Sequence, residues 1–144
     1  MVNKSFEHTI RFYQAQTPVW LPIITVNLVQ QPSGSRVALP LLFDTGASTT
    51  TLRHDLYPLL GLSSWNCGDP VDTLTAGSAT PVKAYRYEAT VELLGKVVQC
   101  PIHLQILPLD NPLFVGLLGR EKLFEEFGFG FWEKTHDLYC TLSP

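Results

Sequence analysis

Within Leu41–Thr51, LLFDTGASTTT, three apolar residues run directly into Asp44, and small or hydroxyl-bearing residues follow it. A carboxylate at the end of a buried run is costly unless it is paired, hydrogen-bonded or protonated. Gly46 permits a tight turn beside that carboxylate, and Thr45 and Ser48 supply hydroxyls that can bond to it or to facing backbone. Ala47 leaves room for another chain to come close. Two readings fit these residues. Asp44 is a working acid–base group, or it merely opens a turn, as Asp-x-Gly often does.

The elements around it read as strands. Thr9–Tyr13 alternates as TIRFY, Ile23–Val29 reads IITVNLV and Val37–Phe43 reads VALPLLF. The Pro-Ser-Gly chemistry of Gln30–Arg36 predicts a hairpin between the last two. A second hairpin is expected from Tyr85–Leu94 and Lys96–Leu107, joined at Gly95. Leu113–Leu118, Phe129–Trp132 and Leu138–Leu142 complete the strands, the last two around the polar turn Glu133–His136. Arg120–Phe127 (REKLFEEF) places Leu123, Phe124 and Phe127 on one face and predicts two turns of helix ended by Gly128. His54–Leu60 can hold a shorter helical turn, and Ser63–Pro70 reads as a surface loop. The fold class is all-β, one domain over residues 1–144, with one short C-terminal helix.

Composition narrows the function. The 144 residues suit one domain, and 45% hydrophobic residues suffice for a real core. Charged residues make up only 16%, which leaves more surface than usual for a partner. A net charge of −3 excludes a general nucleic-acid binder, which needs a concentrated positive field. The N-terminal stretch lacks the apolar segment of a secretory signal, and no run approaches the ~20 apolar residues of a membrane span. Three cysteines, Cys67, Cys100 and Cys140, are too few and odd in number for a disulfide framework. A soluble cytoplasmic protein is expected, with no membrane or nucleic-acid partner.

A second motif, Leu117-Leu118-Gly119-Arg120 ahead of EKLFEEF, follows the Asp-Thr-Gly-Ala segment at a distance. Together they resemble the retropepsin-like aspartic proteases, the single-domain group that includes retroviral proteases. In that family an apolar strand leads into Asp-Thr-Gly-Ala, a flap hairpin follows, and an apolar-apolar-Gly-Arg motif precedes a short helix. The resemblance covers about residues 18–128 and implies an acid-protease β-barrel, one lobe per chain; the extension strands at both ends depart from the family.

Several expectations follow from the resemblance. Aspartic proteolysis needs two carboxylates sharing one proton, one acting as base and the other as acid on a trapped water. One Asp-Thr-Gly per chain implies a homodimer with Asp44 of each subunit at the two-fold axis. Thr45 would bond across that axis, Gly46 would lie against the substrate backbone, and Gly119 and Arg120 would be structural. Asp72–Val82 would be the flap, with Thr75, Ala76, Gly77 and Ser78 at its substrate-binding tip. Ala47, where two-lobed pepsins carry a hydroxyl, implies a mildly acidic optimum. The termini, TIRFY and LYCTL, would either interleave between subunits or pair within one.

Peptide or protein is the implied substrate, and no metal or cofactor is required. The loose spacings Cys100-Pro-Ile-His103 and His136 with Cys140 do not make a zinc site. The other reading is a retropepsin-fold module that dimerises or binds peptide without cutting it.

Overall fold

The computed structural model describes residues 6–74, 79–107 and 113–142. Twelve strands follow in chain order: β1 (His8–Arg11), β2 (Tyr13–Gln16), β3 (Val19–Leu21), β4 (Ile23–Val29), β5 (Arg36–Phe43), β6 (Thr50–Arg53), β7 (Asp69–Thr73), β8 (Val82–Leu93), β9 (Lys96–Gln105), β10 (Gly116–Leu118), β11 (Phe127–Trp132) and β12 (Asp137–Leu142). One short helix, α1 (Leu123–Glu126), precedes β11, and a 3-10 helix spans His54–Leu60.

The main sheet has the order β4-β5-β10-β6-β9-β8-β7, and β4 also pairs with β8. That extra pairing, Asn27 with Glu92 and Leu28 with Val91, curls the sheet into a barrel and leaves β7 as a flange at its edge. Alternate residues turn inward, as the pleat dictates. Ile24, Val26 and Leu28 of β4 are buried with Leu39, Leu41 and Phe43 of β5 and with Val98, Cys100, Ile102 and Leu104 of β9. Each such aliphatic side chain stabilises the fold by ~1.5–3 kcal/mol.

Both expected hairpins form. Gly34, at φ 74°, turns the β4–β5 connection, where its N–H donates to Gln30 O at 2.8 Å. Leu94 and Gly95 join β8 to β9 with φ of 52° and 79°, the two positive values that a two-residue hairpin turn needs. Pro40 sits inside β5 without breaking it. Its carbonyl accepts from Val115 N–H on the side away from β4, so its missing N–H faces the same side, ahead of the β10 ladder. Pro70 lies in edge strand β7, where a missing donor costs little.

The termini pair within the chain: β12 lies between β1 and β11 in a three-stranded sheet. The expected two-turn helix is corrected to the single turn α1. The N–H groups of Arg120 and Glu121 donate to Ala47 and Ser48, and Lys122 (φ 67°, ψ −40°) breaks the helix with a tight γ-turn in which Leu123 N–H donates to Glu121 O at 2.8 Å. Gly128, read as the helix stop, lies in β11 opposite Thr141.

Candidate active site

Asp44 follows the last residue of β5, held at the point where two distant segments meet. β10 runs parallel to β5, with Leu117 beside Leu42 and Leu118 beside Phe43, and antiparallel to β6. The Asp44 N–H donates to Leu118 O at 3.2 Å. Threading β10 between two other strands leaves no space for side chains at its ends. A Cβ on Gly116 would stand 3.0 Å from Leu52 Cα, and one on Gly119 would stand 2.5 Å from Thr49 O. Both positions therefore require glycine.

The residue before Asp44 is anchored from the other side. The Phe43 ring stacks on Phe124 at 5.4 Å and meets Phe129 and Phe131 at 4.7 and 4.9 Å, which ties the strand end to α1 and β11.

The loop itself is tight. Gly46 N–H donates to Asp44 Oδ1 at 2.9 Å, and Ala47 N–H donates to Asp44 O at 3.2 Å. Arg120 N–H and Glu121 N–H return to Ala47 O and Ser48 O at 3.0 and 2.8 Å. Asp44 and Ala47 are half-buried, while Thr45, Gly46 and Ser48 are exposed on the surface of the single chain. The two sequence motifs thus form one hydrogen-bonded unit. The Arg120 side chain is exposed; its contribution within the chain is its backbone.

A cleft of about 560 Å³ opens over this loop. Its walls are Asp44, Gly46, Ala47 and Ser48 of the loop, Val71–Thr73 of β7 with Leu74, and a floor of Thr51, His103, Gln105 and Leu117. β7 and β8 pair antiparallel up to Thr73 opposite Val82, so the base of a hairpin stands at the cleft rim. The expected tip, Thr75, Ala76, Gly77 and Ser78, lies outside the described residues.

One network at this site was not legible from motifs. Glu121 accepts two bonds from Arg86, at 2.7 and 3.1 Å, and one from Thr49 Oγ1 at 2.9 Å. Arg86 holds the Glu121 carboxyl below its ordinary value, against the opposing effect of burial, and Thr49 adds to the depression. The Arg86 guanidinium shifts up in return. Glu121 thereby clamps the backbone of the loop to the middle of β8.

Cys100 and His103 sit three residues apart on a strand and so face opposite sides of β9. Burial pushes the Cys100 thiol up to about 12. Among the described residues no helix is long and apolar enough to cross a membrane.

Comparison with known proteins agrees with this geometry. Residues 31–121 match the family model described as aspartyl protease. A retropepsin-like aspartic protease from Rickettsia conorii superposes with a TM-score of 0.63 at 24% identity, over 97% of this chain and 96% of that one. The EIAV protease, solved in complex with the inhibitor HBY-793, superposes with a TM-score of 0.50 at 20% identity, over 77% of this chain and 88% of that one. No curated protein sequence matches the chain. At those identities the two structures establish the fold, and the family model covers well over half the residues. The chain belongs to the aspartyl protease family and has the retropepsin-like fold.

Proposed function

We propose that two copies of this single-domain chain form an aspartic endopeptidase, with Asp44 of each copy sharing one proton across a two-fold axis. The observation that carries this reading is the state of Asp44. Its carboxylate is half-buried in the wall of a cleft, oriented through Oδ1 by the Gly46 N–H, on a loop that β10 and Glu121 hold in place. Such an arrangement is preorganised for a second carboxylate, and the chain holds one Asp-Thr-Gly. The exposed Thr45 and Gly46 stand beside Asp44 on the face where a second copy would bring its own loop.

In this reading one carboxylate, ionised, takes a proton from a water lodged between the pair while its protonated neighbour donates to the scissile carbonyl. The resulting tetrahedral centre collapses as the amide nitrogen is protonated and leaves. The substrate lies extended through the cleft, its backbone pairing with the β7–β8 hairpin. Thr45 bonds across the axis, and Gly119 and Arg120 support the loop through their backbone.

The test is cleavage of a diverse peptide library from pH 3 to 8 by the wild type and by Asp44→Asn. Cutting by the wild type alone, best at mildly acidic pH, supports the reading. No cutting at concentrations where sedimentation shows a dimer points to a non-catalytic binding module. Equal cutting by both proteins refutes the mechanism.

A further inference from the structure

Strand pairing lines up one row of residues across the cleft face of the sheet. Leu117 of β10 lies beside Thr51 of β6, Thr51 beside His103 of β9, and His103 beside Arg86 of β8. Gln105 follows two residues after His103 on the same face. Only the end of this row next to Asp44 is apolar. Its other members toward β9, Thr51, His103 and Gln105, are hydroxyl, imidazole and carboxamide, while Val71, Leu74 and Leu107 add apolar lining to the cleft.

His103 is 7% exposed, and its Nε2 has no hydrogen-bond partner among the described residues. The neighbours that could have satisfied it are engaged elsewhere. Thr51 Oγ1 donates to Thr49 O at 3.3 Å, and Arg86 is spent on Glu121. Gln105 is almost fully buried and is held by Thr73 at 3.1 Å. A buried polar group without a partner costs ~1–3 kcal/mol, and a hydrogen-bonding side chain that reached it would recover that cost where an apolar one would not.

We propose that this part of the cleft is a polar side-chain pocket: Thr51, His103 and Gln105 hold an uncharged hydrogen-bonding side chain of the substrate, a carboxamide or hydroxyl, close to the scissile bond. The proposal rests on the endopeptidase reading and names its substrate class. Charge argues against the ionic alternative for an acidic side chain. Among the described residues, the carboxylates at the cleft are Asp44 and Asp72, and no Lys or Arg lines it. A carboxamide supplies both a donor and an acceptor, which the mixed set of imidazole, amide and hydroxyl can meet. Sites built to hydrogen-bond their substrate reject the analogue that lacks the group more strongly than apolar pockets reject an extra methylene.

The experiment uses peptides identical except at one position, Asn or Leu, scanned through each place flanking the cleaved bond. The expected result is a kcat/KM preference for Asn of about tenfold or more at one position. His103→Leu should invert that preference at that position alone, and Thr51→Val should weaken it. A wild type that cuts but prefers Leu throughout, with His103→Leu unchanged in its ratio, overturns the pocket and leaves the endopeptidase reading standing. If nothing is cut, that reading fails, and the affinities of the same peptides for Asp44→Asn, measured by calorimetry, decide the pocket. Tighter binding of an Asn peptide that His103→Leu abolishes supports it, and equal affinities, or no binding of either peptide, overturn it.

Discussion

A side chain on Gly119 would begin 2.5 Å from the carbonyl oxygen of Thr49, closer than a Cβ approaches a non-bonded oxygen. The neighbouring Leu118 accepts the Asp44 N–H, so whatever displaces β10 also displaces the candidate acid. Gly119→Ala is therefore expected to destabilise the protein by ~1–3 kcal/mol, the range for overpacking a tight site. Its surviving activity should fall about 100-fold, because a shift of about 1 Å in a reacting group has that effect. Denaturant unfolding and peptide cleavage on the same sample check both. A fully stable Gly119→Ala would mean that the strand has room to move.

Acid should weaken the fold in two stages with different owners. Burial, with Arg86 adding to it and Glu121 opposing it, holds His103 below its ordinary 6.5. A group whose folded value is depressed contributes stability above its unfolded value, and that contribution is lost as the pH falls through the folded one. The His103 contribution therefore declines below about pH 6.5. By the same sign, the Glu121 contribution is complete above 4.5 and is lost as the pH falls through its lower folded value. The pair with Arg86 is about one-third exposed, so solvent limits it to ~1 kcal/mol. Stability measured by urea unfolding from pH 3 to 8 should lose its upper slope in His103→Gln and its lower slope in Glu121→Gln.

The three thiols should differ sharply in reactivity. Cys67 is exposed, and the Tyr87 hydroxyl, 3.7 Å away, shifts its thiol down. Burial pushes Cys100 up to about 12 and Cys140 up to about 11. A thiol reagent added to native protein at pH 7 should modify Cys67 alone, and all three only after denaturation. Tyr87→Phe should cost ~1–2 kcal/mol, because that hydroxyl donates to Trp65 O at 2.6 Å and accepts from Gly68 N–H at 2.8 Å.

Lys122 bears the strain of the turn that replaces the first half of the expected helix. A side chain at φ 67° is disfavoured by ~1–2 kcal/mol, and the Lys122 ion pair with Glu125 is exposed. Lys122→Gly should be more stable than Lys122→Ala by ~1 kcal/mol in thermal unfolding, the reverse of the order in an ordinary helix interior. If alanine is the more stable, the residue is helical in solution.

What the sequence determined by itself is local. Apolar alternation marked the strands that carry the barrel core, Pro-Ser-Gly and Gly95 marked the two hairpins, and two short motifs marked the family. Each is a property of contiguous residues, so no partner strand was needed to read it. Tertiary structure decided what depends on register. Arg120–Phe127 has helical periodicity, yet Lys122 takes a positive φ of 67°, and the helix shrinks to Leu123–Glu126. TIRFY and LYCTL fitted either an intersubunit or an internal sheet, and the pairing of β1 with β12 chose the internal one. Arg86, Glu121 and Thr49 lie on separate segments, and only the folding of β8 against the loop makes them a clamp. His103 and Gln105 left a faint trace, two polar residues at alternate positions in a strand otherwise rich in apolar ones. Their place on the cleft floor comes from one strand lying beside another, which residue order does not carry.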